Sequence, residues 1–123
     1  MLAIVGGSSL LGSGLFEGFV VQTLWTPFGA VKVRQHPQVP ITFVQRHESF
    51  PDASGSTYRP PHNINKKGIF WALKHQVQAK RIVAFASVGS LKLDIPVGSV
   101  ILPDDYNSMS DIIYLSNDHT AHM

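Results

Sequence analysis

Three short groups that contain polar residues could bind an anion in this sequence, and each lies at the end of a predicted strand. The groups are Gly7-Ser8-Ser9, Arg46-His47 and Ala86-Ser87. Serine hydroxyls and backbone N–H groups donate hydrogen bonds, and an arginine side chain offers a bidentate fork to an oxyanion. A histidine could add a further hydrogen bond or a proton. If the three groups meet in the fold, the sequence predicts a phosphate-binding site.

Taken singly, each group also has an ordinary structural interpretation. The serines after Gly7 could cap a short helix, Arg46 could be a surface charge, and His47 could be a loop or core histidine. Three better-known motifs are excluded. The glycines do not follow G-x-G-x-x-G, no lysine precedes Lys32 as a P-loop requires, and G-x-S-x-G is absent. The prediction therefore depends on the three groups lying together.

The segments that precede the three groups predict strands. Residues 2–5, and residues 81–86 after the initial Arg81, are apolar without polar alternation, which is typical of strands buried on both faces. Residues 41–45 are rich in β-branched and aromatic side chains and lead directly into Arg46. Ligands of open α/β sheets bind at the carboxyl ends of the strands. If these strands are neighbours, we expect all three polar groups at one sheet edge.

The rest of the chain adds a hairpin, a helix and a long loop. Residues 19–25 and 30–33 predict paired strands around the turn Thr26-Pro27-Phe28-Gly29. Residues 48–61 predict a long exposed loop. A helix is predicted to begin near Asn63 or Asn65 and to end at His75, and a weaker helical turn should follow Gly12. A further short strand is expected over residues 98–102.

The predicted helix carries one apolar stripe. Ile69, Leu73 and Val77 recur every fourth residue, and Phe70 lies beside them. The pattern supports the helix prediction, because Lys66, Lys67 and Lys74 lie off this stripe. Gly68 lowers the helix propensity of this segment by about 1 kcal/mol relative to alanine.

Composition limits the classes of function. The chain has 123 residues, a net charge of +2, 44% hydrophobic residues and no cysteine. One domain at most is expected, without disulfides or a thiolate metal site, and without a nucleic-acid or membrane partner. A leader peptide is not predicted. The pair His119 and His122, with Asp118, has helical spacing for a metal, but a solvated polar tail is strongly favoured, so no metal site is predicted.

Together these motifs resemble the nucleoside phosphorylases, most closely the methylthioadenosine phosphorylases. The order and rough spacing match along the whole chain, which is more specific than any one motif. The matching stretches are Ile4-Val5-Gly6-Gly7-Ser8, Leu15-Phe16-Glu17, Thr26-Pro27-Phe28-Gly29, Gln45-Arg46-His47, Pro60-Pro61-His62-Asn63-Ile64-Asn65, Trp71-Ala72-Leu73-Lys74, Val88-Gly89-Ser90-Leu91 and Pro103-Asp104.

The resemblance implies a fold and a reaction. The fold would be an α/β three-layer sandwich around a mixed, partly barrel-like sheet, and residues 1–123 would be the amino-terminal portion of that single domain. The reaction would be pentosyl transfer: inorganic phosphate, with no other cofactor, attacks the sugar of a purine nucleoside, most closely 5′-methylthioadenosine. A cytoplasmic homotrimer is implied. The alternatives are another purine nucleoside or methylthioinosine as substrate, or a non-catalytic member that binds phosphate or assembles with a partner.

The resemblance also implies site residues. Phosphate would be bound by Ser8, Arg46, His47, Ala86 and Ser87. The sugar or its pocket would involve Ser9, His62, Val88 and Gly89. No acidic residue of this chain is placed by a matched motif to protonate the departing purine, so no catalytic residue is assigned.

The sequence departs from the family pattern at several positions. Ser9 and Glu48 replace glycines, Ala86-Ser87 replaces a more usual Thr/Asn-Ala pair, and the loop over 48–58 is longer than is typical. The Glu48 carboxylate is expected near the anion site, where it would either orient His47 or repel phosphate. Because only about half of the family's length is matched, we expect residues 1–123 alone to lack phosphorolysis.

Overall fold

A computed structural model describes residues 1–107, a range that holds every predicted site residue. The chain forms a five-stranded mixed sheet with few helices. The α/β class and the mixed sheet are thereby confirmed. His119 and His122 lie outside the described residues. Within residues 1–107, no helix is long and apolar enough to cross a membrane.

The described chain consists of five strands, two short helices and one 3₁₀ turn. They are β1 (Leu2–Gly6), α1 (Ser8–Leu11), β2 (Val20–Thr26), β3 (Gly29–Gln35), β4 (Ile41–Gln45), a 3₁₀ turn (Pro61–Asn63), α2 (Lys66–His75) and β5 (Arg81–Ala84).

The order of the strands brings three carboxyl ends together. The sheet order is β2-β3-β4-β1-β5, and β1 runs parallel to both of its neighbours. Gly6 is in register with Gln45, and Val5 is in register with Ala84. The pairing continues past the strand ends, since the Arg46 N–H donates to the Gly6 carbonyl at 2.9 Å. The residues that follow β1, β4 and β5 therefore leave the sheet at the same edge.

The predicted hairpin forms strands β2 and β3. They pair antiparallel from Val20↔Gln35 to Thr26↔Gly29 around the predicted turn. Gly29 has a φ of +103°, which favours glycine at this position. The hairpin joins the rest of the sheet where β3 pairs antiparallel with β4.

Helix α2 covers one face of the sheet with the predicted stripe. Ile69, Leu73 and Val77 are buried, whereas Phe70 beside the stripe is 45% exposed. The helix core packs against alternate residues of three strands, which are Ala3, Val5, Val31, Val33 and Val44. The cap explains the glycine of this helix. Asn65 Oδ1 accepts from the Gly68 N–H, and a Cβ on Gly68 would lie 2.4 Å from Asn65 Nδ2.

The opposite face is covered by the segment that follows β1. Phe16 stacks on Phe43 with ring centroids 3.9 Å apart, and both residues are buried. The weaker helical turn predicted after Gly12 is wrong, because the helical turn α1 precedes it and Gly12 forms its C-cap. Leu10 of α1 packs over Gly6, where an added Cβ would lie 2.6 Å from its Cδ2.

Of two strand predictions near the end of the described range, the first is confirmed in part and the second is wrong. The strand predicted over residues 81–86 forms as β5, but it ends at Ala84 and all four of its residues are exposed, so the prediction of burial on both faces is wrong. The reason is its place at the sheet edge, where no helix of the described chain covers Ile82 or Val83. Residues 98–102 form no strand, because no neighbouring strand pairs with them.

Candidate functional site

A cleft of about 430 Å³ lies at the sheet edge where β1, β4 and β5 end. We call it the strand-end cleft. Six residues that the sequence predicted for the site line it: Ser8, Ser9, Arg46, His47, Ala86 and Ser87. The three polar groups thus meet because parallel strands carry them to one edge. The serines, Ala86 and Ser87 are exposed, so the cleft is open to solvent.

The other three predicted residues lie elsewhere. His62 is exposed in the 3₁₀ turn, and it does not line the strand-end cleft. Val88 and Gly89 instead line a separate apolar depression formed by residues 88–101. The structure therefore groups the predicted phosphate residues but not the predicted sugar residues other than Ser9.

Arg46 is held by contacts on both sides. Its Nη1 donates to the Phe85 carbonyl at 2.7 Å, and its Nε lies 3.3 Å from His47 Nε2. Its Nη2 lies beside Gly7, 3.6 Å from where a Cβ would be. These contacts fix the guanidinium at the mouth of the cleft. A guanidinium carries five N–H donors, so donors are left to bind an oxyanion.

Both ring nitrogens of His47 contact other residues of this chain. Its Nδ1 lies 2.9 Å from the Arg59 carbonyl oxygen, and its ring stacks on Tyr58 with centroids 5.2 Å apart. A carbonyl only accepts hydrogen bonds, so Nδ1 carries the proton and donates it to Arg59. His47 therefore lines the cleft while its donor points to the chain itself.

The Glu48 carboxylate is bound outside the strand-end cleft. It makes a bidentate ion pair with Arg34 of β3, with Nη2 to Oε1 at 2.9 Å, and Lys32 Nζ lies at 3.8 Å. Glu48 does not line the strand-end cleft. It lines a smaller pocket of about 280 Å³ that it shares with Lys32. The prediction of a direct hydrogen bond from Glu48 to His47 is therefore wrong, because the carboxylate binds Arg34 instead.

The loop after Glu48 has internal structure. Asp52 Oδ1 accepts hydrogen bonds from the Ser54 hydroxyl and from the backbone N–H groups of Ser54 and Ser56. These bonds, chiefly those from Ser54, lower the pKa of the Asp52 carboxyl, and the nearby Arg59 acts in the same direction. Asp52 is therefore charged at neutral pH and pairs with Arg59 at 3.4 Å.

Sequence reasoning missed four residues that line the cleft, which are Leu10, Ser13, Tyr58 and Phe85. Tyr58 lines it, yet Tyr58 is eleven positions beyond His47 and no spacing rule links the two. Phe85 also lines the cleft and binds Arg46 through its carbonyl oxygen. The predicted strand included Phe85, so the backbone group that it offers beyond the end of β5 could not be anticipated.

The chemistry of the lining suits a small anion. None of the eleven residues in the described range that line the cleft is acidic. Arg46 supplies a positive charge, and Ser8, Ser9 and Ser87 supply hydroxyl donors. Residues 1–107 hold no group of three or more His, Cys, Asp or Glu side chains that could bind a metal ion.

Similar proteins are known for nearly the whole chain. An S-methyl-5′-thioadenosine phosphorylase of Hyperthermus butylicus is 32% identical over 114 residues, which cover 89% of this chain and 39% of that protein. A probable 6-oxopurine nucleoside phosphorylase of Thermococcus kodakarensis is 30% identical and is matched over 98% of this chain and 45% of its own length. A protein of the same description from Archaeoglobus fulgidus is 28% identical over 100% of this chain and 49% of its own. No family model matches the chain.

The chain spans less than half of the length of these curated relatives. The relatives carry two descriptions that differ in the purine nucleoside named. Both descriptions fall within the family that the sequence motifs indicated, and the resemblance is thereby confirmed: the chain is a relative of the methylthioadenosine and 6-oxopurine nucleoside phosphorylases.

Proposed function

We propose that this chain is the amino-terminal portion of a purine nucleoside phosphorylase and that the strand-end cleft is its phosphate site. The observation that carries the proposal is the grouping of Ser8, Arg46 and Ser87 around one cleft without an acidic lining residue. The names of the curated relatives support the same reaction class. Phosphate would be bound by these residues together with Ala86, with His47 at the wall of the cleft.

The proposed reaction suits this chemistry. Phosphate attacks the anomeric carbon of the sugar, the bond from that carbon to the purine nitrogen breaks, and the purine leaves with the bonding electrons and takes up a proton. Fixed donors hold the nucleophile in line, and they act without reorganisation when charge develops. In the part of the chain that the structure describes, residues 1–107, the cleft is open to solvent. The rest of the phosphorylase domain would supply its cover, the third layer of the sandwich and the group that protonates the purine.

The proposed substrate is 5′-methylthioadenosine, and a 6-oxopurine nucleoside is the second candidate. Relatives of both descriptions match the chain at about 30% identity, which supports the shared reaction more strongly than either substrate. Groups that recognise the base are not assigned among residues 1–107, so the second candidate rests on the names of its relatives.

Release of free purine in the presence of inorganic phosphate tests the proposed function. The complete protein that carries this chain is expected to cleave 5′-methylthioadenosine only when phosphate is present, and faster than inosine. Faster cleavage of inosine than of 5′-methylthioadenosine would assign the protein to the 6-oxopurine nucleoside phosphorylases. Phosphate binding without cleavage of any purine nucleoside would indicate a non-catalytic relative, and a lack of both would contradict the proposal.

We also propose that the complete protein is a cytoplasmic homotrimer, with the hairpin near a neighbouring copy. Trp25 supports this because it is 74% exposed on the edge strand β2, together with exposed Val20 and Val21. The absence of cysteine suits a reducing compartment.

Sedimentation of the complete protein tests the oligomeric state. The wild type should sediment as a trimer, and Trp25→Asp should shift the protein toward the monomer. Leu15→Asp, which alters another exposed apolar residue, should leave the trimer intact. A wild-type protein that sediments as a monomer would contradict the proposal.

A further inference from the structure

An ion pair anchors the beginning of the loop over residues 48–58, which we call the 48–58 loop. Arg34 binds both carboxylate oxygens of Glu48, and their side chains are only 13% and 16% exposed. A bidentate pair fixes orientation as well as distance, and shielding from water limits screening by salt. The first residue of the loop is therefore tied to β3.

The two ends of the 48–58 loop pair with each other. Glu48 forms a bridge with Tyr58, and the Ser49 N–H donates to the Thr57 carbonyl at 2.8 Å. One step further, the Arg59 N–H donates to the His47 carbonyl at 2.7 Å. This pairing places the Arg59 carbonyl beside the His47 ring, so the loop returns to the residue from which it departs.

Both ring nitrogens of His47 have partners that require the same protonation state. Nδ1 faces the Arg59 carbonyl, which can only accept, and Nε2 faces Arg46 Nε, which can only donate. An imidazole that donates from Nδ1 and accepts at Nε2 is the neutral Nδ1–H tautomer. Because Nε2 occupies the Arg46 Nε–H, the terminal guanidinium nitrogens are the donors left for the cleft.

We propose that Glu48 is a positioning residue: through the Arg34–Glu48 pair, the 48–58 loop holds His47 as its Nδ1–H tautomer and thereby aims Arg46 into the strand-end cleft. The inference deepens the proposed function and rests on it, since the cleft is taken as the phosphate site. Glu48 acts through Tyr58, Arg59 and His47 and touches no reacting atom. The glycine that the resemblance leads us to expect at this position could not form such a pair.

The imidazole nitrogen signals of His47 test this proposal in the complete protein labelled with ¹⁵N-histidine. In the wild type, His47 should show the Nδ1–H tautomer, in contrast to the tautomer mixture of free histidine in water. Glu48→Gln should move the His47 signals toward those of free histidine and raise the dissociation constant of inorganic phosphate about tenfold. Glu17→Gln removes one exposed carboxylate and is the matched control, with no change in either measurement.

Several outcomes would overturn the proposal. A wild-type His47 that already shows the mixture or the Nε2–H tautomer would do so, even if Glu48→Gln failed to fold. If Glu48→Gln lowers the melting temperature but leaves the His47 signals unchanged, Glu48 only stabilises the fold. That outcome would overturn its role in positioning His47. The tautomer of His47 is measured in the absence of phosphate. A protein that has the Nδ1–H tautomer but binds no phosphate would therefore contradict the proposed function, while the effect of the 48–58 loop on His47 would stand.

Discussion

Arg46→Ala is expected to weaken phosphate binding by the complete protein about 100-fold. Arg46 is the arginine of the strand-end cleft, and its terminal nitrogens are aimed by the Phe85 carbonyl and by His47. Losing two charge-assisted hydrogen bonds, each worth about 1.5 kcal/mol, corresponds to a change of this size in the dissociation constant. Titration calorimetry with inorganic phosphate measures it.

Arg81→Ala is the matched control. Arg81 is exposed and is in register with Leu2, at the end of β5 away from the cleft. It should leave phosphate affinity within about twofold, because a distant exposed charge is screened by salt. Equal weakening by the two variants would show that net charge alone governs binding and would contradict the site.

Arg46→Lys separates the effect of charge from that of side-chain geometry. We expect it to bind between wild type and Arg46→Ala, because lysine keeps the charge but loses the fork.

The elements that could be predicted are those that local sequence specifies. Strand β4 begins and ends where predicted because its β-branched run is bounded by Pro40 and Arg46. The hairpin follows from the turn at Pro27, and α2 follows from a stripe at helical spacing. The grouping of three polar segments also follows, once parallel strands are assumed to be neighbours.

The features that could not be predicted depend on contacts between distant parts of the chain. An apolar run such as Ile82–Val83 indicates that a strand is suited to burial. It does not indicate whether another element of the fold covers that strand. The partner of Glu48 is Arg34, fourteen residues earlier, and only the pairing of β3 with β4 brings the two together. For the same reason the tautomer of His47 depends on Arg59, which a sequence pattern does not connect to it.

Residues 1–123 expressed alone are expected to bind apolar dyes and to show no nucleoside phosphorolysis. The edge strand β5 presents Ile82 and Val83 to solvent, and the segment beyond it exposes Leu91, Leu93 and Leu102. Soluble monomers tolerate only a few hundred Å² of contiguous apolar surface. The described residues also leave the strand-end cleft open, where a phosphate nucleophile would remain hydrated and a departing purine would go unassisted.

Dye fluorescence, denaturant unfolding and purine release measure these properties on the 123-residue chain. Replacing Leu91 and Leu93 by serine should lower dye binding without restoring activity, because both side chains are exposed. Leu73→Ser should raise dye binding, because Leu73 is fully buried in the core under α2. Co-expression with the segment of a relative that this chain does not match should lower dye binding and restore purine release. A 123-residue protein that unfolds cooperatively, binds no dye and cleaves a purine nucleoside would contradict the proposal that the rest of the domain is needed, since its edge strand and open cleft would then suffice.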